Sequence, residues 1–177
     1  VEITALPGTY ARLVYESRDE AKSKLPITIE RRLYRLEPST EDLDFKATPV
    51  SDWKVSTQEL YVDEVTVVPV EGGTFQFGLL EVPLPSGGEV EGTTWGMKVQ
   101  GPTGAMSISD VRYEVGGQVY GIPMERLKGA TTHRVLVRFG QAGKFNVPSA
   151  RYFRMYAPAE QAFAGGSSAA GHEIVVR

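Results

Sequence analysis

The sequence predicts an all-β protein, an antiparallel β-sandwich with short helical turns at most. Short runs rich in β-branched and aromatic residues alternate with clusters of Gly, Pro, Asn, Asp and Ser. Pairs of glycines lie between apolar runs, where tight hairpin turns require a positive φ. These pairs are Gly72-Gly73, Gly87-Gly88 and Gly116-Gly117. Strand and helix patterns do not alternate along the chain, so a parallel sheet is not expected.

The predicted strands follow one another between these turn signals. They cover residues 10–15, 27–34, 60–68, 75–82, 108–115, 133–139 and 173–176. Helical signal is confined to two short stretches. One runs from Pro123 to Lys128 and ends before Gly129, and the other opens at Pro158 and ends at Gly165.

Alternation within the strands predicts which side chains enter the core. In residues 133–139 the odd positions are mostly apolar and the even ones largely polar, as in a sheet with one face in water. In the strand from Ile27, Arg31 interrupts an otherwise apolar face. The predicted core comprises Val65, Val67, Phe75, Phe77, Val135, Val137 and Phe139.

The composition is that of one globular domain. The 177 residues are 41% hydrophobic, carry a net charge of -3 and include no cysteine. The acidic balance gives no reason to expect nucleic acid, and no apolar run is long enough to insert into a membrane. We expect residues 1–177 to form a single domain, because only Gly165 to Gly171 resembles a mobile segment. From a start at Val1 rather than Met we expect a processed product or a fragment of a larger protein.

The sequence offers no pattern that carries chemistry. The two histidines, His133 and His172, have no metal-ligand spacing around them. Neither a G-x-S-x-G nucleophile elbow nor a phosphate-binding glycine loop is present. Glu89 and Glu91 lie in a Gly-rich turn region and are expected on a solvated surface. We therefore predict no catalytic residue, no metal and no cofactor.

Candidate interaction residues lie near the end of the chain and at one tryptophan. The segment Arg151-Tyr152-Phe153-Arg154-Met155-Tyr156 mixes basic and aromatic side chains. Either it packs across the sandwich, or it is a strip that docks a partner protein. The candidate docking residues are Arg151, Tyr152, Arg154, Tyr156 and Trp95. The acidic net charge argues against nucleic acid as the partner.

Three segments together resemble the C-terminal region of bacterial α2-macroglobulin-like proteins. One is residues 143–151, GKFNVPSAR, followed by Met155-Tyr156-Ala157-Pro158. The second is residues 79–87, LLEVPLPSG, and the third is residues 29–34, IERRLY. They occur in the family's order across most of the chain. The second segment, followed by Thr93-Thr94-Trp95-Gly96, is most similar to the subgroup that lacks the thioester.

The resemblance implies a macroglobulin-type, fibronectin-III-like sandwich from a protease inhibitor of bacterial envelope defence. Members of that family are periplasmic, often held at the inner membrane by a lipid. Expected partners are the other domains of the same polypeptide, target proteases and envelope proteins. The alternative is a carbohydrate- or surface-binding module, in which Trp95, Tyr120 or Tyr152 would be an exposed sugar platform. Neither of these two hypotheses gives the chain a catalytic activity.

Overall fold

The computed structural model describes residues 22–40, 44–94, 96–109, 114–116, 118–165 and 171–177. In this part of the chain the regular elements are fifteen β-strands and one 3-10 turn, Val70–Gly72. The strands form three sheets of seven, five and three strands. The prediction of an all-β sandwich is confirmed.

The seven-stranded sheet contains the longest strands. Its order is β6 (Gly88–Glu91), β11 (Thr131–Phe139), β4 (Leu60–Pro69), β1 (Ile27–Pro38), β2 (Asp44–Val50), β7 (Lys98–Gly101) and β8 (Gly104–Met106). Neighbouring strands are antiparallel except β2 and β7, which pair in parallel. The central position of β1 and β4 buries both faces of these two strands near the middle of the sheet.

The five-stranded sheet packs against the seven-stranded sheet. Its order is β14 (Ala157–Phe163), β13 (Arg151–Arg154), β5 (Phe75–Pro83), β10 (Val119–Leu127) and β9 (Glu114–Gly116). All its described pairs are antiparallel. Arg151 to Arg154 therefore lie inside a sheet, paired on both sides, as the packing alternative requires, whereas Met155 and Tyr156 form an exposed turn.

A small third sheet closes one end of the sandwich. It contains β12 (Gly143–Val147), β15 (His172–Val176) and β3 (Lys54–Val55). β15 is antiparallel to β12 and parallel to β3. Two parallel pairs thus occur in a fold that the sequence predicts as antiparallel, and each joins strands that are distant in the chain.

One hydrophobic core joins all three sheets. Buried side chains enter it from the seven-stranded sheet (Val65, Val137), the five-stranded sheet (Leu80, Tyr152) and the three-stranded sheet (Ile174). Each fully buried side chain of this size contributes about 1.5–3 kcal/mol. The predicted core residues Val65, Val67, Val135, Val137 and Phe139 are all buried.

The other face of the seven-stranded sheet carries a second apolar cluster. Its buried members are Tyr34, Leu36, Ala47, Val62, Val99 and Leu136. The expectation that the even positions of β11 face water is wrong at Leu136, which is 1% exposed. Partly buried apolar side chains, among them Met97, Met106 and Ile108, pack against this cluster. They cover part of a face that the pattern of β11 alone predicts as exposed to water.

The prediction for the faces of β5 is also wrong. Phe77 is 48% exposed and Phe75 is only partly buried, whereas Gly78, Leu80 and Val82 face the interior. Phe77 has a φ of 52°, a left-handed conformation that breaks the alternation of the strand. Odd-numbered positions of β5 therefore face the core up to Phe75, and even-numbered positions face it from Gly78 onward.

Both predicted helical turns are strands. Residues 123–127 belong to β10 and residues 157–163 to β14. In β10, Tyr120, Ile122 and Met124 alternate into the core while the strand pairs with β5. Tertiary pairing therefore outweighs the local turn signal of Pro123 and Pro158.

Some sequence predictions fall outside the described residues. These are the strand at 10–15, residues 110–113 of the strand at 108–115, Trp95, Gly117 and most of the segment from Gly165 to Gly171.

Candidate functional site

A buried ion pair within the seven-stranded sheet is hydrogen-bonded to the five-stranded sheet. Asp63 on β4 is 0% exposed and accepts two hydrogen bonds from Arg31 on β1, at 3.0 and 2.7 Å. The Tyr120 hydroxyl on β10 donates to the same carboxylate at 3.0 Å. Arg31 Nη1 also donates to the Pro83 carbonyl oxygen at 2.9 Å. The arginine that interrupts the apolar face of β1 thus joins the seven-stranded sheet to the five-stranded one.

This network is structural. Its carboxylate is occupied by three donors, and both partners lie in the interior, where a substrate would have to displace core side chains. The sequence signals Arg31 by its interruption of an apolar face, but it gives no sign that Asp63 is the partner. Only the strand register, which places Arg31 opposite Val65 and beside Asp63, reveals the pair.

A second polar arrangement lies between β1 and the three-stranded sheet. The imidazole of His172 lies against the Trp53 ring at a centroid distance of 4.0 Å. The Arg31 guanidinium carbon lies 5.6 Å from the Trp53 ring centroid. His172 Nε2 is buried without a hydrogen-bond partner. Among the described residues there is no cluster of three His, Asp or Glu side chains that would hold a metal ion.

Burial lowers the pKa of both histidines. For His172 the larger cause is its removal from water, and the Arg31 charge lowers the pKa further while Asp63 opposes the change. For His133, on β11, removal from water is the cause. Both imidazoles are therefore held in the neutral form more strongly than a solvated histidine.

The candidate docking residues are placed on both sides of the five-stranded sheet. Tyr152 is 0% exposed and belongs to the core, so it is not available to a partner. Arg151 pairs with Glu81 at 2.7 Å and lies over the Phe153 ring at 4.9 Å. Arg154 pairs with Glu160 at 2.7 Å. Trp95 lies outside the described residues.

Tyr156 is the most exposed of the large apolar side chains in the described chain, at 85%. It forms one patch with Phe77 and Met155, which we call the aromatic tip. The Phe77 and Tyr156 rings meet edge to face at 5.8 Å, and the Met155 N–H donates to the Phe77 carbonyl oxygen at 2.8 Å. The left-handed conformation of Phe77 turns its ring toward the β13–β14 turn and away from the core.

Sequence reasoning found only part of this patch. It singled out Tyr156 but assigned Phe77 to the core, since strict alternation from Phe75 predicts an inward side chain. The glycine at position 78 was the available signal. A Cβ there would overlap the Tyr152 ring, so this position of β5 faces inward and Phe77 does not.

Two of the three aromatic residues expected as sugar platforms are not exposed. Tyr120 and Tyr152 are both buried, and their ring faces are packed in the core. Trp95 cannot be placed, since it lies outside the described residues. In the part of the chain that is described, no helix is long and apolar enough to cross a membrane.

Taken together, the architecture and the site define a β-sandwich domain with a cross-linked interior and one exposed aromatic surface. Residues 27–159 match the family described as Bacterial Alpha-2-macroglobulin MG10 domain. The chain belongs to this family. The match begins at the first residue of β1 and ends within β14, so it includes both large sheets and the aromatic tip.

Individual relatives agree with this assignment. The chain is 39% identical to an alpha-2-macroglobulin of Ralstonia nicotianae over 192 aligned residues, which cover 92% of the chain and 12% of the relative. Its fold is similar to Escherichia coli alpha-2-macroglobulin activated by porcine elastase, with a TM-score of 0.59, 16% identity, and coverage of 88% of this chain and 13% of that one.

The fold is also similar to that of Salmonella alpha-2-macroglobulin reacted with methylamine. The TM-score is 0.58 at 18% identity, over 91% of this chain and 10% of that one. The chain thus spans about an eighth of the length of the curated relative.

Proposed function

We propose that the chain is a non-catalytic structural and interaction domain of a bacterial alpha-2-macroglobulin protease inhibitor that acts in envelope defence. Family membership supports the kind of parent protein, and the 12% coverage of the Ralstonia relative supports its being one module among several. In this proposal residues 1–177 form one domain of a periplasmic protein.

The observation that carries the proposal is the aromatic tip. Phe77, Met155 and Tyr156 expose apolar surface together, and the neighbouring Arg154 is paired with Glu160. Tyrosine, phenylalanine and methionine are enriched at protein interfaces. A contiguous exposed patch of such residues marks an interaction site.

The occupant we propose is another domain of the same polypeptide. A chain that spans 12% of its relative has most of the parent protein as a permanent neighbour at high local concentration. The side chains of the tip carry no charge, so it suits a stable apolar packing contact better than an electrostatically guided encounter. Target proteases and envelope proteins are the remaining candidate partners.

Hydroxyl-radical footprinting read by mass spectrometry tests this assignment. We expect Met155 and Tyr156 to be oxidised readily in the isolated chain and to be protected in the longer parent protein. Val70, exposed on the 3-10 turn, is the reference for general shielding, and buried Tyr152 is the reference for unfolding. Equal oxidation of the tip in the isolated chain and in the parent protein would contradict docking against a domain of the same polypeptide.

A further inference from the structure

The three-stranded sheet meets the sandwich across a cavity of about 570 Å³. The cavity lies between β1 and β15, and Ile29, Arg31, Trp53, Ala150 and His172 are among the residues that line it. Trp53 has a φ of 52°, which an ordinary residue adopts only when its surroundings enforce it. The Val175 N–H donates to the Trp53 carbonyl oxygen at 3.0 Å, so the strained residue is tied directly to β15.

His172 is the first residue of β15 and the point at which this strand contacts both Trp53 and the cavity. Its ring lies 4.0 Å from Trp53, and its Nε2 is buried with no acceptor or donor in reach. A neutral imidazole is stable in this position because it packs against Trp53 as an uncharged aromatic ring. An imidazolium does not, because its second N–H would be a buried donor on a charged group without a partner.

The charged groups around His172 do not compensate a second cation. Arg31 already lies over the Trp53 ring, and Asp63 accepts from both Arg31 and Tyr120. Two further ion pairs lie nearby, one at the edge of the cavity and one at the start of β3. In each pair the acidic and the basic side chain contact each other. The two pairs are Glu30 with Arg32 at 3.0 Å and Asp52 with Lys54 at 2.7 Å. Glu173 follows His172 in β15 but is exposed.

We propose that His172 is an acid-sensitive latch that holds the three-stranded sheet on the sandwich while its imidazole is neutral and releases it on protonation. The latch consists of His172, Trp53 and Arg31. Removal from water and the Arg31 charge place the pKa of His172 in the closed state below its ordinary value.

The direction of the pH effect follows from that lowered pKa. In the released state His172 is solvated and titrates near its ordinary value of about 6.5. The closed state is therefore fully favoured above that pH and loses stability as the pH falls from there toward the pKa of the closed state. The equilibrium for release rises by up to about tenfold for each pKa unit between the two states.

His133 provides a matched control. It is the other histidine of the chain, and it too is partly buried, has an unpartnered Nε2 and has a lowered pKa. It lies on β11, opposite Val65 of β4, and not in the three-stranded sheet. Its protonation lowers the stability of the whole domain, but it has no contact through which to release β15 and β12 selectively.

Native-state hydrogen exchange of the 177-residue chain at pH 7.5, 6.5 and 5.5 tests the latch. With intrinsic exchange rates corrected for pH, we expect protection of residues 143–147 and 172–176 to fall with acid more than that of residues 119–127. The selective loss should persist in His133→Phe and disappear in His172→Phe, which keeps an aromatic ring but cannot take a proton. A loss that is uniform, or that persists in His172→Phe, would overturn the proposal.

A second readout does not depend on the folding of the His172→Phe variant. In a Trp95→Phe chain the fluorescence reports Trp53 alone, and a protonated imidazole quenches an indole against which it packs. The expected titration shows emission changing with a midpoint below about 6.5, the value for a solvated histidine. Emission that is independent of pH, or that changes at or above that value, would show that His172 is not the titrating group.

Discussion

At the scale of single residues, the most consequential contact is the ion pair between Arg31 and Asp63. Both residues belong to the seven-stranded sheet, with side-chain exposures of 7% and 0%, and both are hydrogen-bonded to the five-stranded sheet, Arg31 through Pro83 and Asp63 through Tyr120. A buried pair of this kind adds little net stability over an apolar replacement, but the loss of one partner leaves the other charge buried and uncompensated. The pair therefore restricts how the two sheets align.

We expect Asp63→Asn to lower the free energy of unfolding by about 3–5 kcal/mol, because Arg31 would remain buried without its counter-charge. Urea unfolding monitored by circular dichroism measures this. Asp52→Asn is the matched control, since Asp52 also pairs with a basic side chain but is solvent-exposed. Its unfolding midpoint should equal that of the wild type, and a comparable loss in both variants would argue against a special role for the buried pair.

Two phenylalanines that the sequence pattern assigns to the same core differ in the structure. Phe139 is buried and meets Tyr61 edge to face, whereas Phe77 is half exposed at the aromatic tip. Phe139→Ala should cost about 3–5 kcal/mol through the cavity it leaves. Phe77→Ala should change the free energy of unfolding by less than about 1 kcal/mol. Chemical denaturation of the two variants side by side decides it, and the reverse order would mean that the face of β5 is assigned incorrectly.

At the scale of elements, the sequence predicts strands best where a β-rich run is bounded by turn residues. β1, β4, β11 and β15 are found within a few residues of their predicted ends. The predicted faces of β5 are wrong because the left-handed backbone conformation of Phe77 breaks the alternation, and apolar periodicity in the sequence does not reveal that conformation. β10 was missed because Pro123 signals a turn locally, while its neighbours face the core and pair with β5.

The pairing of β5 with β13 depends on a glycine that makes room for a tyrosine. A Cβ at Gly78 would overlap the hydroxyl and ring of Tyr152 in the core. We expect Gly78→Ala to cost at least about 1–3 kcal/mol by overpacking. The cost should shrink when Tyr152 is also replaced by Leu, because contacting sites are not additive.

Thermal unfolding of the single and double variants measures this coupling. Gly129→Ala is the control, since nothing lies within 4 Å of a Cβ at that position. Additive effects of the Gly78 and Tyr152 substitutions would show that the two residues do not share the space assigned to them.

Deletion of the C-terminal segment provides a further test. β13 lies between β5 and β14, and the part of the chain after Pro148 also contributes β15 to the small sheet. Deletion of residues 149–177 should therefore lower the thermal midpoint strongly or prevent folding, since it removes buried Tyr152, Phe163 and Ile174. Calorimetry of the shortened chain measures this. An unchanged midpoint would mean that the segment is a docking strip and not part of the sandwich.

At the scale of the whole molecule, the sequence predicted the fold class and the family, but only part of the candidate site. Short motifs of turn and strand residues carried the family resemblance, because they set where strands stop. Tyr156 was singled out because its segment mixes basic and aromatic residues. Its contact with Phe77 depends on the left-handed backbone conformation of Phe77 and on strand register, which the sequence pattern does not show. The contacts of Arg31 with Asp63, and of His172 with Trp53, join residues distant in sequence, so no local pattern reveals them.

We propose that this domain is a supporting part of a larger inhibitor and that it neither inhibits nor cleaves by itself. The most direct test titrates trypsin or elastase with the purified 177-residue chain and measures residual activity on a protein substrate and on a small peptide substrate. A small stoichiometric trypsin inhibitor is the positive control. We expect full protease activity on both substrates at any excess of the chain, and no hydrolysis by the chain alone. Stoichiometric loss of protease activity with the isolated chain would contradict it.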